Sequence, residues 1–264
     1  MSSFSQSEQV RLHINGCYGK TTQTSDVLIY GQVWLGNEVL NPEQLKAALV
    51  AAIAENQLSH FIAGLNGFFS VICLIEQQLL CFTDKVRSRP LFYMQHKHQL
   101  IISDRAAFIA TEYASSAKAI SVVQQEFIHT GFVTGQDTLH PAVKQVQAAQ
   151  LLQADLSSGN IATLFYYCLI PRNHIDPLPD IKYWQHRLHT VTESVVSRLI
   201  KYADGRQIVV PLSGGYDSRA LALYLRQAGY NNVVCFTFGR KGSAEVTLSN
   251  RVASELGYPW RCIS

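Results

Sequence analysis

The apolar run Gln207-Ile-Val-Val-Pro-Leu212 stops abruptly at Ser213-Gly214-Gly215, and Asp217-Ser218 opens a helix directly afterwards. A strand that ends in a glycine turn and feeds a helix is a natural seat for an oxyanion. The paired glycines let backbone approach a ligand closely and reach positive φ. The helix start offers unpaired N–H groups and the positive end of a dipole. Ser213 and Ser218 add hydroxyl donors. Asp217 repels phosphate, so its place in this loop points instead to a Mg²⁺ ion held against phosphates. No Gly-Lys-Ser/Thr follows, which excludes a Walker loop. A plain Gly-Gly turn with an Asp cap is the competing reading, and the strand before and helix after the loop count against it.

The sequence around the loop alternates between strand and helix texture. Strands are expected at residues 207–212, 232–238 and 260–263, and helices at 217–227 and 243–256. This order implies a parallel sheet with right-handed crossovers. Before it, residues 181–202 form a long amphipathic pattern, with Trp184, Leu188, Val191, Val195 and Leu199 at helical spacing. Pro171, Pro177 and Pro179 make the preceding stretch a linker.

The first half reads differently, as short strands separated by turns. Val27-Leu-Ile-Tyr-Gly-Gln-Val-Trp34 and Phe68-Phe-Ser-Val-Ile-Cys-Leu-Ile75 are rich in β-branched and aromatic residues. Gln78-Leu-Leu-Cys-Phe-Thr83 follows as the second arm of a hairpin. One helix is expected over residues 41–54, with Asn41 as cap and Pro42 in its first position. Strands with occasional helices indicate an α+β layered domain.

Bulk properties exclude several classes. The chain is 47% hydrophobic and 16% charged, with a net charge of +3 and no Lys/Arg run, so nucleic acid is not a partner by charge. Its opening residues lack a signal-peptide core, and its apolar runs are too short to span a bilayer, so a cytoplasmic protein without a membrane partner is expected. Cys17, Cys73, Cys81, Cys168, Cys235 and Cys262 form no CxxC pair and read as reduced, buried thiols. His186/His189 and His96/His98 lack carboxylate or Cys company, and read as surface or helix-end residues.

Val210-Pro-Leu-Ser-Gly-Gly-Tyr-Asp-Ser218 resembles the SGGxDS loop of ATP pyrophosphatases, which cleave ATP between the α and β phosphates and activate a carboxylate as an acyl-adenylate. Val233-Val-Cys-Phe-Thr-Phe-Gly239, followed by Ala244-Glu245, is similar to the asparagine-synthetase branch in particular. The resemblance implies ATP and Mg²⁺ as ligands. It assigns nucleotide contacts to Leu212, Ser213, Gly214, Gly215, Asp217 and Ser218, adenine contacts to Leu212, Phe236, Thr237 and Phe238 through backbone groups, and the metal to Asp217.

Weaker echoes extend it through the first half: Phe61-Ile-Ala-Gly-Leu-Asn-Gly-Phe-Phe-Ser-Val71, the Asp84-Lys-Val-Arg-Ser-Arg-Pro-Leu-Phe-Tyr93 hairpin, Ile102-Ser-Asp104, and the segment from Thr138-Leu-His140 to Asp155-Leu-Ser-Ser-Gly159. The implied organisation is a degenerate, type 2 glutaminase-like (Ntn hydrolase-like) α+β domain over residues 1–168 and a linker over 169–180. The start of an α/β parallel-sheet ATP-pyrophosphatase (adenine nucleotide alpha hydrolase-like) domain follows over 181–264.

Two departures modify what the resemblance implies. Glutaminase members carry a cysteine after the initiator Met; here it is Ser2. Their Asn-Gly-Glu substrate loop becomes Tyr30-Gly31-Gln32, their Arg-Gly-Pro-Asp segment is absent, and Cys17 lies internally. Losing the Asn donor alone costs about 3 kcal/mol of barrier. No glutaminase is therefore expected, and the amine is ammonia or a substrate amine acting on a small-molecule or peptide carboxylate. The chain also ends three strands into the synthetase domain, so it is expected to be either a piece of a longer protein or a truncated gene product, and inactive alone. No catalytic residue is assigned, and a homodimer is an open expectation. The competing function is a non-catalytic nucleotide-binding scaffold. Arg87 and Arg89 are expected in structural ion pairs. Arg240, Lys241 and Glu245 are further candidates for contact with the site, weighed against a solvated loop.

Overall fold

Each face of β5 (Leu65–Ile75) packs into a different core, which is why its sequence is almost continuously apolar rather than alternating. The computed structural model describes residues 9–16, 21–113, 121–170 and 180–264. It divides into two units, Met1–Ile170 and Pro171–Ser264. Ser2, Cys17 and the linker at 171–179 lie outside the described residues.

In the first unit, β1 (Val10–His13), β2 (Thr21–Gln23), β3 (Val27–Leu35) and β4 (Glu38–Leu40) precede helices α1 (Pro42–Ala54) and α2 (Leu58–Gly64). After β5 come β6 (Gln78–Thr83), β7 (Leu91–His96), β8 (Gln99–Ser103), α3 (Ala106–Tyr113) and α4 (Ser121–Thr130). The unit closes with β9 (Lys144–Val146), β10 (Gln150–Asp155) and β11 (Asn160–Phe165). One sheet runs β11-β10-β6-β5-β3-β2, with β4 on β3; the other runs β1-β8-β7-β9.

Alternation along the strands sorts the side chains into layers. Tyr30, Ile72, Cys81 and Leu152 meet Leu91, Leu100 and Ile102 between the two sheets. Ile29, Phe69, Val71 and Phe82 face Leu45 and Leu49 of α1 and Ile62 of α2. On the far side, Met94 and Ile101 pack on Ile109 of α3. The result is four layers: helix, sheet, sheet, helix. Full burial of each such side chain contributes about 1.5–3 kcal/mol.

The α1 start follows the sequence reading: Asn41 Oδ1 accepts from Gln44 N at 2.8 Å while Gln44 Oε1 accepts from Asn41 N at 3.0 Å. The β5–β6 hairpin also forms as read, with Ile75 opposite Gln78. Helices α2, α3 and α4 are additions that the sequence reading did not anticipate.

Tyr30-Gly31-Gln32 lies inside β3, in keeping with the strand read over Val27–Trp34, paired with Ser70, Phe69 and Phe68 of β5. Gly31 sits at φ +104, and a Cβ there would fall 1.9 Å from Phe68 O, so β3 can approach β5 only through glycine.

The segment from Asp84 to Tyr93 is a crossover, not a hairpin. β6 lies in the larger sheet and β7 in the smaller one, where it pairs with β8 and β9. The buried Asp84 carboxylate organises the turn by accepting from Phe69 N at 3.0 Å, Val86 N at 2.9 Å and both the amide and hydroxyl of Ser88. Arg87 and Arg89, expected in ion pairs, take other partners. Arg87 Nε donates to Val146 O at 2.9 Å and its guanidinium lies over Phe92; Arg89 lies over Tyr30. Burial pushes the Arg87 pKa down. Aromatic faces and a strand-end carbonyl take the place of carboxylates in this packed crossover.

In the second unit, α5 (Ile181–Ala203) leads into β12 (Ile208–Pro211), α6 (Tyr216–Gln227), β13 (Val233–Phe238), α7 (Ala244–Glu255) and β14 (Trp260–Ile263). The sheet is parallel, in the order β12-β13-β14. Its core holds Val210, Leu212, Ala222, Leu225, Val233, Cys235 and Ala253. The apolar stripe expected on α5 is only partly used: Val196, Leu199 and Ile200 pack, while Trp184, Leu188, Val191 and Val195 stay 43–68% exposed. The face that packs runs through His189, Val196, Leu199 and Ile200 and so is rotated from the expected stripe, and the length of the helix adds to the exposure. A 23-residue helix runs about 35 Å, whereas strands of four to six residues cover about 13–20 Å.

Cys73, Cys81 and Cys235 are buried free thiols, as the sequence indicated, but Cys168 is exposed. Burial pushes the Cys73 thiol up to about 12. No described helix is long and apolar enough to cross a membrane.

Candidate functional site

The loop at residues 213–218 hangs between two fixed points. Leu212, 1% exposed, donates its N–H to Phe236 O at 2.8 Å, which docks the end of β12 on β13. From beneath, the buried Thr237 hydroxyl lies 2.6 Å from Leu212 O and 2.7 Å from Ser249 Oγ, and accepts from Trp260 Nε1 at 3.0 Å. This network ties β12, β13, β14 and α7 together directly under the loop.

The loop then turns on its own hydroxyls. Ser213 N donates to Ser218 Oγ at 3.0 Å, Gly215 N donates to Ser213 Oγ at 3.1 Å, and the two hydroxyl oxygens are 3.1 Å apart. Gly215 is the N-cap of α6, at φ −72 and without a side-chain cap. By contrast α1, α5 and α7 have their first turns capped by Asn41, Asp180 and Ser243. The first-turn amides of α6 therefore lack the internal acceptor that those helices have.

The glycines act differently from the sequence expectation. Neither Gly214 nor Gly215 has positive φ. A Cβ on Gly215 would press on Ser213 Oγ at 3.2 Å, whereas one on Gly214 would stand at ordinary contact distance from Glu245 Cγ and Leu248 Cδ2, 3.7 and 3.8 Å.

Asp217 is exposed in the first turn of α6 and makes no ion pair among the described residues. The two charged groups nearest the loop by contact are Arg219, whose Nε donates to Gly215 O at 3.1 Å, and Glu245, whose Oε1 accepts from Gly214 N at 3.4 Å. Glu245 was a sequence candidate. Arg219 was not, although its place four residues after Gly215 on one helix face is a readable signal.

The adenine-side candidates separate by strand parity. Thr237 points inward and its side chain is fully committed, whereas Phe236 and Phe238 point outward, with rings 5.2 Å apart and Phe238 67% exposed. Arg240 and Lys241 lie exposed beyond β13 and make no described ion pair. Neither histidine pair joins a described metal-ligating cluster. His189 Nδ1 lies 2.8 Å from Tyr224 Oη, tying α5 to α6.

The first unit has a cavity of about 610 Å³ lined by Arg87, Phe92, Phe127, Phe132 and Gln145, among others. Arg87 Nη2 has no hydrogen-bond partner, yet it is sealed from solvent, so a ligand in the cavity does not reach it.

No family model matches the chain. A "Probable asparagine synthetase [glutamine-hydrolyzing]" of Acanthamoeba polyphaga mimivirus is 43% identical over 199 residues, covering 69% of this chain and 31% of that protein. The chain thus spans about a third of the length of this curated relative. Two solved structures superpose with a TM-score of 0.35. One is a glutamine phosphoribosylpyrophosphate amidotransferase from B. subtilis complexed with ADP and GMP, 12% identical over 93% of this chain and 72% of that one. The other is described as the allosteric regulatory enzyme of purine biosynthesis, 11% identical over 93% and 71%.

Proposed function

We propose that the second unit binds ATP with Mg²⁺ at residues 213–218, and that the protein acts as an ATP-dependent amide-forming ligase of the asparagine-synthetase kind. The uncapped head of α6, set directly after a buried strand end, is the observation that carries this reading. Free first-turn amides and two hydroxyls suit phosphate oxygens. The unpaired Asp217 carboxylate suits the metal, which neutralises phosphate charge when bound. Backbone at Leu212 and along Phe236 and Phe238 lies at the carboxyl ends of neighbouring parallel strands, where nucleotides bind in open α/β sheets. The similarity to a probable asparagine synthetase narrows the reaction class.

In this reaction a carboxylate oxygen attacks the α-phosphorus of ATP and pyrophosphate leaves. Ammonia or a substrate amine then attacks the acyl carbon, and AMP leaves. The residues of the chain bind and orient the triphosphate. The first unit would not supply ammonia from glutamine, because the position expected of an Asn donor holds the buried Tyr30 ring under Arg89. Incubating the full-length protein with ATP, Mg²⁺, ammonia and a panel of carboxylates should give AMP and pyrophosphate; ADP and phosphate would rule the assignment out. Release of glutamate from glutamine, abolished by Ser2→Ala, would overturn the lack of glutaminase.

A second reading, nucleotide binding without turnover, is favoured by one observation: among the described residues no group of three or more metal-ligating side chains surrounds Asp217. Tight calorimetric binding of Mg·ATP with no AMP formed would support it.

A further inference from the structure

We infer that Glu245 is an internal anion that occupies the phosphate seat of the loop until a phosphate displaces it; this rests on the phosphate-binding reading of residues 213–218. Glu245 Oε1 accepts from Gly214 N at 3.4 Å, across 31 residues of sequence. Its Cγ lies 3.7 Å from where a Cβ of Gly214 would be, so the side chain lies over the loop rather than pointing away from it. The acceptor that α6 lacks at its own N-cap is thus supplied at the adjoining amide by a carboxylate from α7.

The position of Glu245 is set by its frame. β13 ends at Phe238, Gly239 turns at φ +157 against Val246, and Ser243 caps α7 by accepting from Val246 N. Glu245 is therefore delivered in the first turn of a fixed helix. Its negative charge sits beside the positive end of α6, the same field a phosphate would use. Arg240 and Lys241 make no ion pair with it. The 3.4 Å bond is long, which keeps the carboxylate exchangeable.

Displacing this carboxylate opposes phosphate binding, so removing it strengthens binding. Equilibrium dialysis with labelled pyrophosphate in metal-free buffer, and separately with Mg·ATP, compares the wild-type chain with Glu245→Gln and Glu245→Ala. Both variants should bind metal-free pyrophosphate more tightly, on the order of two- to fivefold, the range of a charge at a helix start. Glu245 is exposed, and unchanged thermal unfolding confirms that the fold is kept. Unchanged or weaker pyrophosphate binding in Glu245→Ala overturns the inference. So does weakening confined to Mg·ATP, which would make Glu245 a metal ligand instead. If no form of the chain binds either probe, the phosphate reading of the loop fails and this inference fails with it. If all forms bind equally, only this inference fails.

Discussion

Asp84 and Asp217 each follow closely on the end of a strand, β6 in the first unit and β12 in the second. Asp84 is 3% exposed and its carboxylate is saturated: three backbone amides and a hydroxyl point at it. Asp217 is exposed and unpaired at the head of an uncapped helix. The difference lies in what the chain does next. After β6 it must cross to a second sheet, so a buried anion is needed to gather the amides of an irregular turn. After β12 a helix begins at once and satisfies its own backbone except in the first turn, leaving amides and a carboxylate free for something external. A saturated aspartate is a fold element, and a free one at a helix head is available for chemistry.

Mutations should separate the two roles, beginning with the largest effect. Asp84→Ala leaves buried amides without acceptors and should destabilise the first unit by about 3–5 kcal/mol, read from the urea midpoint of its transition. Thr237→Val keeps the volume but removes the hydroxyl under the loop. It should cost about 1–3 kcal/mol and speed amide hydrogen exchange at Ser213–Gly215. A loss of stability without faster exchange there would show that the network supports the sheet and not the loop.

A smaller effect is expected at Asp155, which turns the β10–β11 hairpin. The Ser157 hydroxyl and the Ser158 and Ser157 amides hold its carboxyl below the ordinary 3.8. The folded pKa is depressed, so the contribution is complete above the unfolded value and is lost as pH falls through the folded one. Asp155→Asn should therefore lower stability slightly at neutral pH and flatten the acid limb, so that variant and wild type converge below about pH 4. Asp217→Asn should change stability least, by under about 0.5 kcal/mol, while removing the Mg²⁺-dependent part of ATP binding. If it destabilised the unit as Asp84→Ala does the other, the contrast between the two aspartates would collapse.

Much of the second unit was legible because its signals are local. Polar caps, a glycine break and short apolar runs fix each element within a few residues, and parallel pairing follows from their alternation. The α1 cap, Asn41 with Pro42 and Gln44, was legible for the same reason. The Asp84 crossover was not. Its sequence looks like a turn between two strands, and only long-range pairing of β7 with β8 and β9 decides that those strands belong to different sheets. Arg87 and Arg89 misled because charge alone says nothing of the aromatic faces that packing brings beside them. On α5, periodicity marked a helix but placed its buried face on Trp184, Leu188, Val191 and Val195, whereas Val196, Leu199 and Ile200 are the residues that pack.

The sequence by itself determined that a strand ends in Ser-Gly-Gly and a helix starts at once, because those preferences reside in neighbouring residues. Only the tertiary structure decided that Gly215 has little room for a Cβ beside the Ser213 hydroxyl, that the Thr237 hydroxyl is spent beneath the loop, and that Glu245 reaches Gly214. Each of these depends on which backbone lies within about 3–4 Å of which side chain. That proximity is fixed when separate strands and helices pack into one core.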